Sequence, residues 1–119
     1  GLEALASAGS FTRPILAATL AIAIVWPPDG YEFDIGRVAQ NMMLAAAARG
    51  IASCPVTLHD EDRAREVLGA PEEHRCRYAI AFGYPDAEAE TAERRERRSA
   101  GLGGRKPMEE LVDRGRVEG

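Results

Sequence analysis

Along Leu20-Ala-Ile-Ala-Ile-Val-Trp26, large and small apolar residues alternate with no polar interruption. That pattern predicts a strand covered on both faces, as in the centre of a sheet. Pro27-Pro28-Asp29-Gly30 ends it. The following segment, residues 31–49, is apolar around most of a helical circumference. Phe33, Val38, Met42 and Ala45-Ala46 form one stripe, which Ile35, Ala39, Met43 and Ala47 widen. A helix of this kind is normally buried on several sides, so a central helix between a sheet and a partner is expected. Asp29 and Glu32 have the spacing of a capping box at its start, and Gly50 is placed for the left-handed turn after its end.

The pattern then switches period. Residues 51–56 predict a second short strand. Thr57 and Asp60 repeat the capping spacing, and Asp60, Glu61 and Asp62 place acidic groups at the start of a helix running to about Leu68, closed by Gly69-Ala-Pro71. Cys76, Tyr78, Ile80 and Phe82 alternate with Arg77, Ala79, Ala81 and Gly83, the period of a third strand. Before the first strand, residues 2–8 read as the tail of a helix ended by Gly9. From Asp86 to Ser99 the composition changes to Ala, Glu and Arg, with Glu90/Arg94 and Glu93/Arg97 at favourable helical spacing. This reads as a solvated connector that continues through the glycines to residue 104. Met108, Leu111 and Val112 predict a short closing helix. The fold class expected is α+β, with residues 1–119 as one domain and 86–104 as a connector within it.

Composition narrows the functional classes. A length of 119 residues allows one domain at most, and a hydrophobic content of 45% excludes a wholly disordered chain. Aromatic residues make up only 6%, so the core is expected to pack small side chains. The formal net charge of −4 disfavours nonspecific binding to nucleic acid or to an anionic membrane. The apolar run from Pro14 to Trp26 falls short of the roughly 20 residues that a spanning helix needs. Cys54 and Cys76 match no metal spacing and read as small buried hydrophobes in a reduced, cytoplasmic setting, with a disulfide or thiol-redox pair as the alternative. No Ser/His/Asp pattern, phosphate-binding loop, dinucleotide fingerprint or zinc spacing is present. His59 and His74 are assigned no catalytic role. Gln40-Asn41 reads as hydrogen-bonded within the core or a dimer seam, with a ligand-facing role as the alternative.

Candidate chemistry lies in two places. Pro55-Val56-Thr57-Leu58 lies between a strand end and a helix start, where backbone amides are offered to a ligand, although an ordinary turn has the same appearance. Gly103-Gly104-Arg105-Lys106-Pro107 sets two cations after glycines that let a ligand come close, although surface Arg-Lys pairs are common.

The order and spacing of the 33–57 segment, Gly83-Tyr84-Pro85 and Gly103–Pro107 resembles the C-terminal half of the nitroreductase family of FMN-dependent oxidoreductases. The resemblance covers roughly Leu20 to Val112. It implies a homodimer with FMN at the subunit interface, NAD(P)H as electron donor, and an electron-poor small-molecule acceptor such as a nitroaromatic or a quinone. It further implies that Pro55 and Val56 pack on the flavin ring, that Thr57 supplies an amide to it with Leu58 completing the turn, and that Arg105 in the Gly104 loop binds the flavin phosphate, with Lys106 in reserve. The flavin carries the chemistry, so no catalytic side chain and no metal is expected. The family's N-terminal Arg-Arg-Ser type segment is not in this sequence, which starts at Gly1. A partial domain is therefore the expectation, holding FMN weakly or not at all by itself.

Overall fold

The last strand in the chain is the middle strand of the sheet. The computed structural model describes residues 1–115. Strands β1 (Leu20–Trp26), β2 (Ala52–Thr57) and β3 (Arg75–Gly83) form an antiparallel sheet in the order β1-β3-β2. Helices α1 (Leu2–Ala6) and α2 (Arg13–Leu16) precede β1, α3 (Glu32–Ala47) joins β1 to β2, and α4 (Glu61–Leu68) joins β2 to β3. These elements make up one compact unit, Gly1–Pro85, and a second unit covers Asp86–Gly119. The second contains α5 (Ala87–Ser99), the glycine loop and α6 (Met108–Leu111).

The sheet separates two apolar clusters. On one face, Leu5, Ala8, Ile15, Leu58 and Ala64 of the α1, α2 and α4 side meet Val56, Ala79 and Ala81. The small residues on the strands let the short helices come close to the sheet. On the other face, Ile24, Trp26, Ile80 and Phe82 meet Ala46, with Ile35, Ala39, Met42 and Met43 of α3 packed around them. Only β3 is covered on both sides, and residues 79–82 are all buried.

Several expectations are corrected here. The alternating β1 segment is an edge strand, with Leu20, Ile22 and Val25 exposed. Its continuous apolar character therefore exceeds what this chain buries. Within this chain, helix α3 packs on one side. One stripe meets the sheet, Ala46 is its sole buried residue among those described, and Phe33, Val38 and Leu44 face outward. Its start is not capped by Asp29: Tyr31 holds the N-cap position without a side-chain bond, and Glu32 instead accepts a hydrogen bond from the Tyr78 hydroxyl. Gln40 and Asn41 are exposed, so neither serves the core of this chain.

The cysteines divide. Cys54 is exposed on β2, and Cys76 is buried. The register between β1 and β3 shifts between Ile24, opposite Tyr78, and Trp26, opposite Arg75, leaving an extra residue on β3. Such a bulge reverses the side-chain alternation, so Cys76 joins Ala79 and Ala81 rather than Tyr78 and Ile80. Both thiols are free, and burial pushes the Cys76 thiol up, with the Glu61 charge adding to it.

Helix α4 ends as predicted, but its start is shifted. Asp60, not Thr57, provides the cap, accepting from the Arg63 amide at 3.0 Å, and Gly69 ends the helix at φ 64°. Gly50 also adopts a left-handed φ, of 71°. In the second unit, Asp86 caps α5 by accepting from the Ala89 amide, and no residue of α5 is buried. Neither Glu90/Arg94 nor Glu93/Arg97 closes to an ion pair among the described residues.

Candidate functional site

The phase of the β2 pairing decides what this edge offers to a ligand. Val56 lies opposite Ala79, and the Leu58 amide donates to the Arg77 carbonyl at 2.6 Å. Antiparallel pairs alternate between those that exchange backbone bonds and those that do not. Ser53, Pro55 and Thr57 therefore turn their backbone groups toward the open edge. Pro55 has no N–H, and this is a position where the ladder loses nothing by its absence. The Thr57 amide is the donor that the edge presents nearest the start of α4.

Pairing also extends one residue past the expected strand end, because Thr57 stays opposite Tyr78. The predicted turn at 55–58 is thus edge strand, with Leu58 still bonded to β3 through its amide. Pro55 is exposed and Thr57 half-buried, while the side chains of Val56 and Leu58 belong to the core. Gly9 closes over this edge. A Cβ there would lie 2.9 Å from the Thr57 carbonyl oxygen and 2.7 Å from Thr12 Cγ2, so only glycine permits the approach.

A connected set of polar and aromatic groups fixes the sheet end from which β3 starts. Arg75 donates from Nε and Nη2 to the Glu61 carboxylate at 3.1 and 3.2 Å, and the Cys76 amide donates to the same carboxylate at 3.2 Å. The Arg75 guanidinium lies 5.6 Å from the Trp26 ring centroid, and Trp26 stacks on Tyr78 at 5.9 Å with a 4° interplanar angle. The bond from Tyr78 to Glu32 then ties this stack to α3 and, with burial adding to it, raises the Tyr78 hydroxyl above its ordinary value.

For Glu61, burial works to raise the carboxyl, but the Arg75 hydrogen bond, the Arg75 charge and the Cys76 amide together hold it below its ordinary value. The sign follows: a carboxyl depressed in the fold contributes stability above its unfolded pKa, and that stability is lost as pH falls through the folded value. Thermal midpoints of the wild type should fall more steeply than those of Glu61→Gln between about pH 5 and pH 3. Parallel curves would mean that the pair contributes nothing.

The cationic loop belongs to the second unit. Gly103 and Gly104 have φ of 89° and 101°, values that only glycine adopts without strain. Arg105 and Lys106 are exposed. Arg105 lines an open cleft of about 740 Å³ bounded by residues 102–104 and one face of α5 from Glu90 to Arg98, and Lys106 does not. Arg94, Arg97 and Arg98 line the same cleft. From sequence, Arg94 and Arg97 read as partners of Glu90 and Glu93 on a solvated connector. The i, i+3, i+4 spacing of all three arginines was the available signal, since it gathers them on one helix face.

Residues 27–84 match the sequence profile of the Nitroreductase family. The chain belongs to the nitroreductase family. It is 39% identical over 74 residues to nitroreductase NfnB of Mycolicibacterium smegmatis, an alignment covering 57% of this chain and 31% of that protein. It therefore spans under a third of this curated relative. A nitroreductase family protein from Clostridium difficile 630 superposes with a TM-score of 0.70 at 26% identity, over 98% of this chain and 69% of its own. The FMN- and NADPH-dependent nitroreductase NfnB of Sphigopyxis sp. strain HMH superposes with a TM-score of 0.67 at 20% identity, over 89% of this chain and 46% of its own. The nitroreductase match includes α3, β2, α4 and β3, the elements that build the Thr57 edge. Among the described residues, no helix of this nitroreductase chain is long and apolar enough to cross a membrane.

Proposed function

We propose that the protein carrying this chain is an FMN-dependent oxidoreductase that passes hydride from NAD(P)H to an electron-poor small molecule of the nitroaromatic or quinone class. Family membership carries this reading, and the outward-turned Thr57 amide on the β2 edge supports it. The residues present fit a flavin on two counts. Pro55 offers an exposed apolar wall beside an outward-turned amide, and Arg105 offers a cation beside glycine backbone that a phosphate can approach. Bound FMN supplies the two-electron chemistry. The chain's own part is to bind and orient. In the first unit the Thr57 N–H would donate to the ring and favour its charged, reduced form, and Pro55 with the adjoining edge would keep water from one side; in the second unit Arg105 would hold the phosphate.

The outward face of α3 supports a second part of the reading, a homodimer. Phe33, Val38 and Leu44 are exposed on a helix whose opposite stripe already packs on the sheet. A second copy covering that face would give the helix the burial that its sequence pattern calls for.

Flavin titration tests the assignment. Arg105→Ala should raise the FMN dissociation constant about ten- to a hundredfold, as expected for one charge-assisted phosphate contact. Lys106→Ala should change it much less. Equal and negligible losses would remove the loop from the site. A protein that purifies colourless and stays colourless with added FMN would favour a non-catalytic dimerisation remnant instead.

A further inference from the structure

The segment that carries the Thr57 amide is fixed at several points. Only three residues, 58–60, join the end of β2 to the first residue of α4. The Leu58 amide donates to the Arg77 carbonyl at 2.6 Å, and the Asp60 amide donates to the Ala8 carbonyl at 2.8 Å. Glu61, at the first helical position, makes the remaining tie. Its carboxylate accepts from Arg75 Nε, Arg75 Nη2 and the Cys76 amide, across 14 and 15 positions of sequence. Cys76 has no partner residue in the register of either ladder, so Glu61 satisfies a backbone donor that the bulge in β3 sets aside. Glu61 thus joins the start of α4 to the start of β3, the strand against which Thr57 is aligned. The Arg63–Glu66 and Arg65–Asp62 pairs, by contrast, stay within the helix.

We propose that Glu61 is a positioning residue for the flavin: through Arg75 and the Cys76 amide it holds residues 57–60 so that the Thr57 N–H favours reduced over oxidised FMN. The proposal rests on the reading of Thr57 as a donor to the ring. A hydrogen bond weakens steeply as its distance or angle departs from the optimum, so a donor is effective only where its supports fix it in advance. Glu61 also carries a charge, and the two effects have opposite signs. A carboxylate near a ring that gains negative charge disfavours reduction, so its removal as a charge alone would raise the flavin potential. Its removal as a support lowers that potential.

Spectroelectrochemical titration of the intact, FMN-loaded protein reads that sign. In Glu61→Gln one carboxylate oxygen becomes an amide nitrogen that faces the Arg75 donors, so the tie opens at almost constant volume. The affinity for reduced FMN relative to oxidised FMN should fall about tenfold, which lowers the two-electron midpoint by about 30 mV. Glu61→Asp keeps the charge but is one methylene too short to reach Arg75 and Cys76 together, and there too the potential should fall. Glu66→Gln removes the same charge from α4 but breaks only a pair within the helix, and should leave the potential unchanged. An unchanged or raised potential in Glu61→Gln, or an unchanged one in Glu61→Asp, overturns the proposal. Amide hydrogen exchange in the flavin-free protein is the second arm. The Leu58 and Asp60 amides should exchange at least about tenfold faster in Glu61→Gln, measured against the amide of the fully buried Ile80 in β3. A protein that takes up no FMN defeats the flavin reading. There, faster exchange at these two amides upholds the positioning role of Glu61, and equal exchange overturns it.

Discussion

Trp26→Ala should destabilise the fold by about 3–5 kcal/mol, the range for removing a large buried aromatic side chain. Trp26 is only 4% exposed although it lies at the end of an edge strand. It reaches this burial because two segments, β3 and the 27–30 turn, close on it. Tyr78 stacks on the ring, the Arg75 guanidinium lies over it, and the turn brings Gly30 against its edge, where a Cβ would sit 3.0 Å from Trp26 Cδ1. Truncation would leave a cavity between β1, β3 and the 27–30 turn, and would strip the apolar cover from the Glu61–Arg75 pair. Trp26→Phe retains a stacking partner for Tyr78 and should cost less than half as much. Since Trp26 is the chain's one tryptophan, urea unfolding is best followed by far-ultraviolet circular dichroism. A loss below about 1 kcal/mol for Trp26→Ala would mean that the stack is incidental to stability.

The second large effect is expected at Ala46. Its side chain is 8% exposed and packs among Ile24, Trp26, Ile80 and Phe82, at the contact of α3 with the sheet. Ala46→Glu would put a carboxylate into that contact without a basic partner in the cluster. An unpaired buried charge costs several kcal/mol or forces the helix off the sheet, so little folded protein should be recovered. Ala47→Glu, one residue on and exposed, provides the control and should be tolerated. If Ala46→Glu folded with native stability, the α3 stripe would not be the contact described above. If it folded but altered only the oligomeric state by light scattering, Ala46 would belong to the subunit contact instead.

Local signals proved most legible. The end of α4 came from a glycine that acts within a single turn of backbone, whereas the capping spacing at Thr57 put its start too early and Asp60 caps it instead. The three strands were likewise evident from their period and punctuation, each within a residue of its observed ends. Where a local signal competed with a distant partner, the partner won. Asp29 and Glu32 had capping spacing, but Glu32 is taken by the hydroxyl of Tyr78, 46 positions away in sequence. The proposed site was legible in the same partial way. The sequence marked residues 55–58 and 104–106 as suited to a ligand. The phase of the β2 ladder distinguishes the outward Thr57 amide from the Leu58 amide already engaged by Arg77. In sequence, Arg94 and Arg97 read as partners of Glu90 and Glu93 on a solvated connector, because a charge run at helical spacing normally means a solvated face.

By itself the sequence determined where backbone periods begin and end, which turns required glycine, and which family the residues resemble. These depend on neighbours within a few positions, whose preferences are encoded in residue type. The tertiary structure alone decided that β3 rather than β1 takes the middle of the sheet. It also decided that a bulge sends Cys76 to the opposite core and that Glu61 closes on Arg75 and the Cys76 amide. Alternation along a strand reports how apolar its faces are but not which strand lies beside it. Strand order is set by how segments far apart in the chain bury one another, and this is why an apolar β1 can stand at the edge of this chain's sheet.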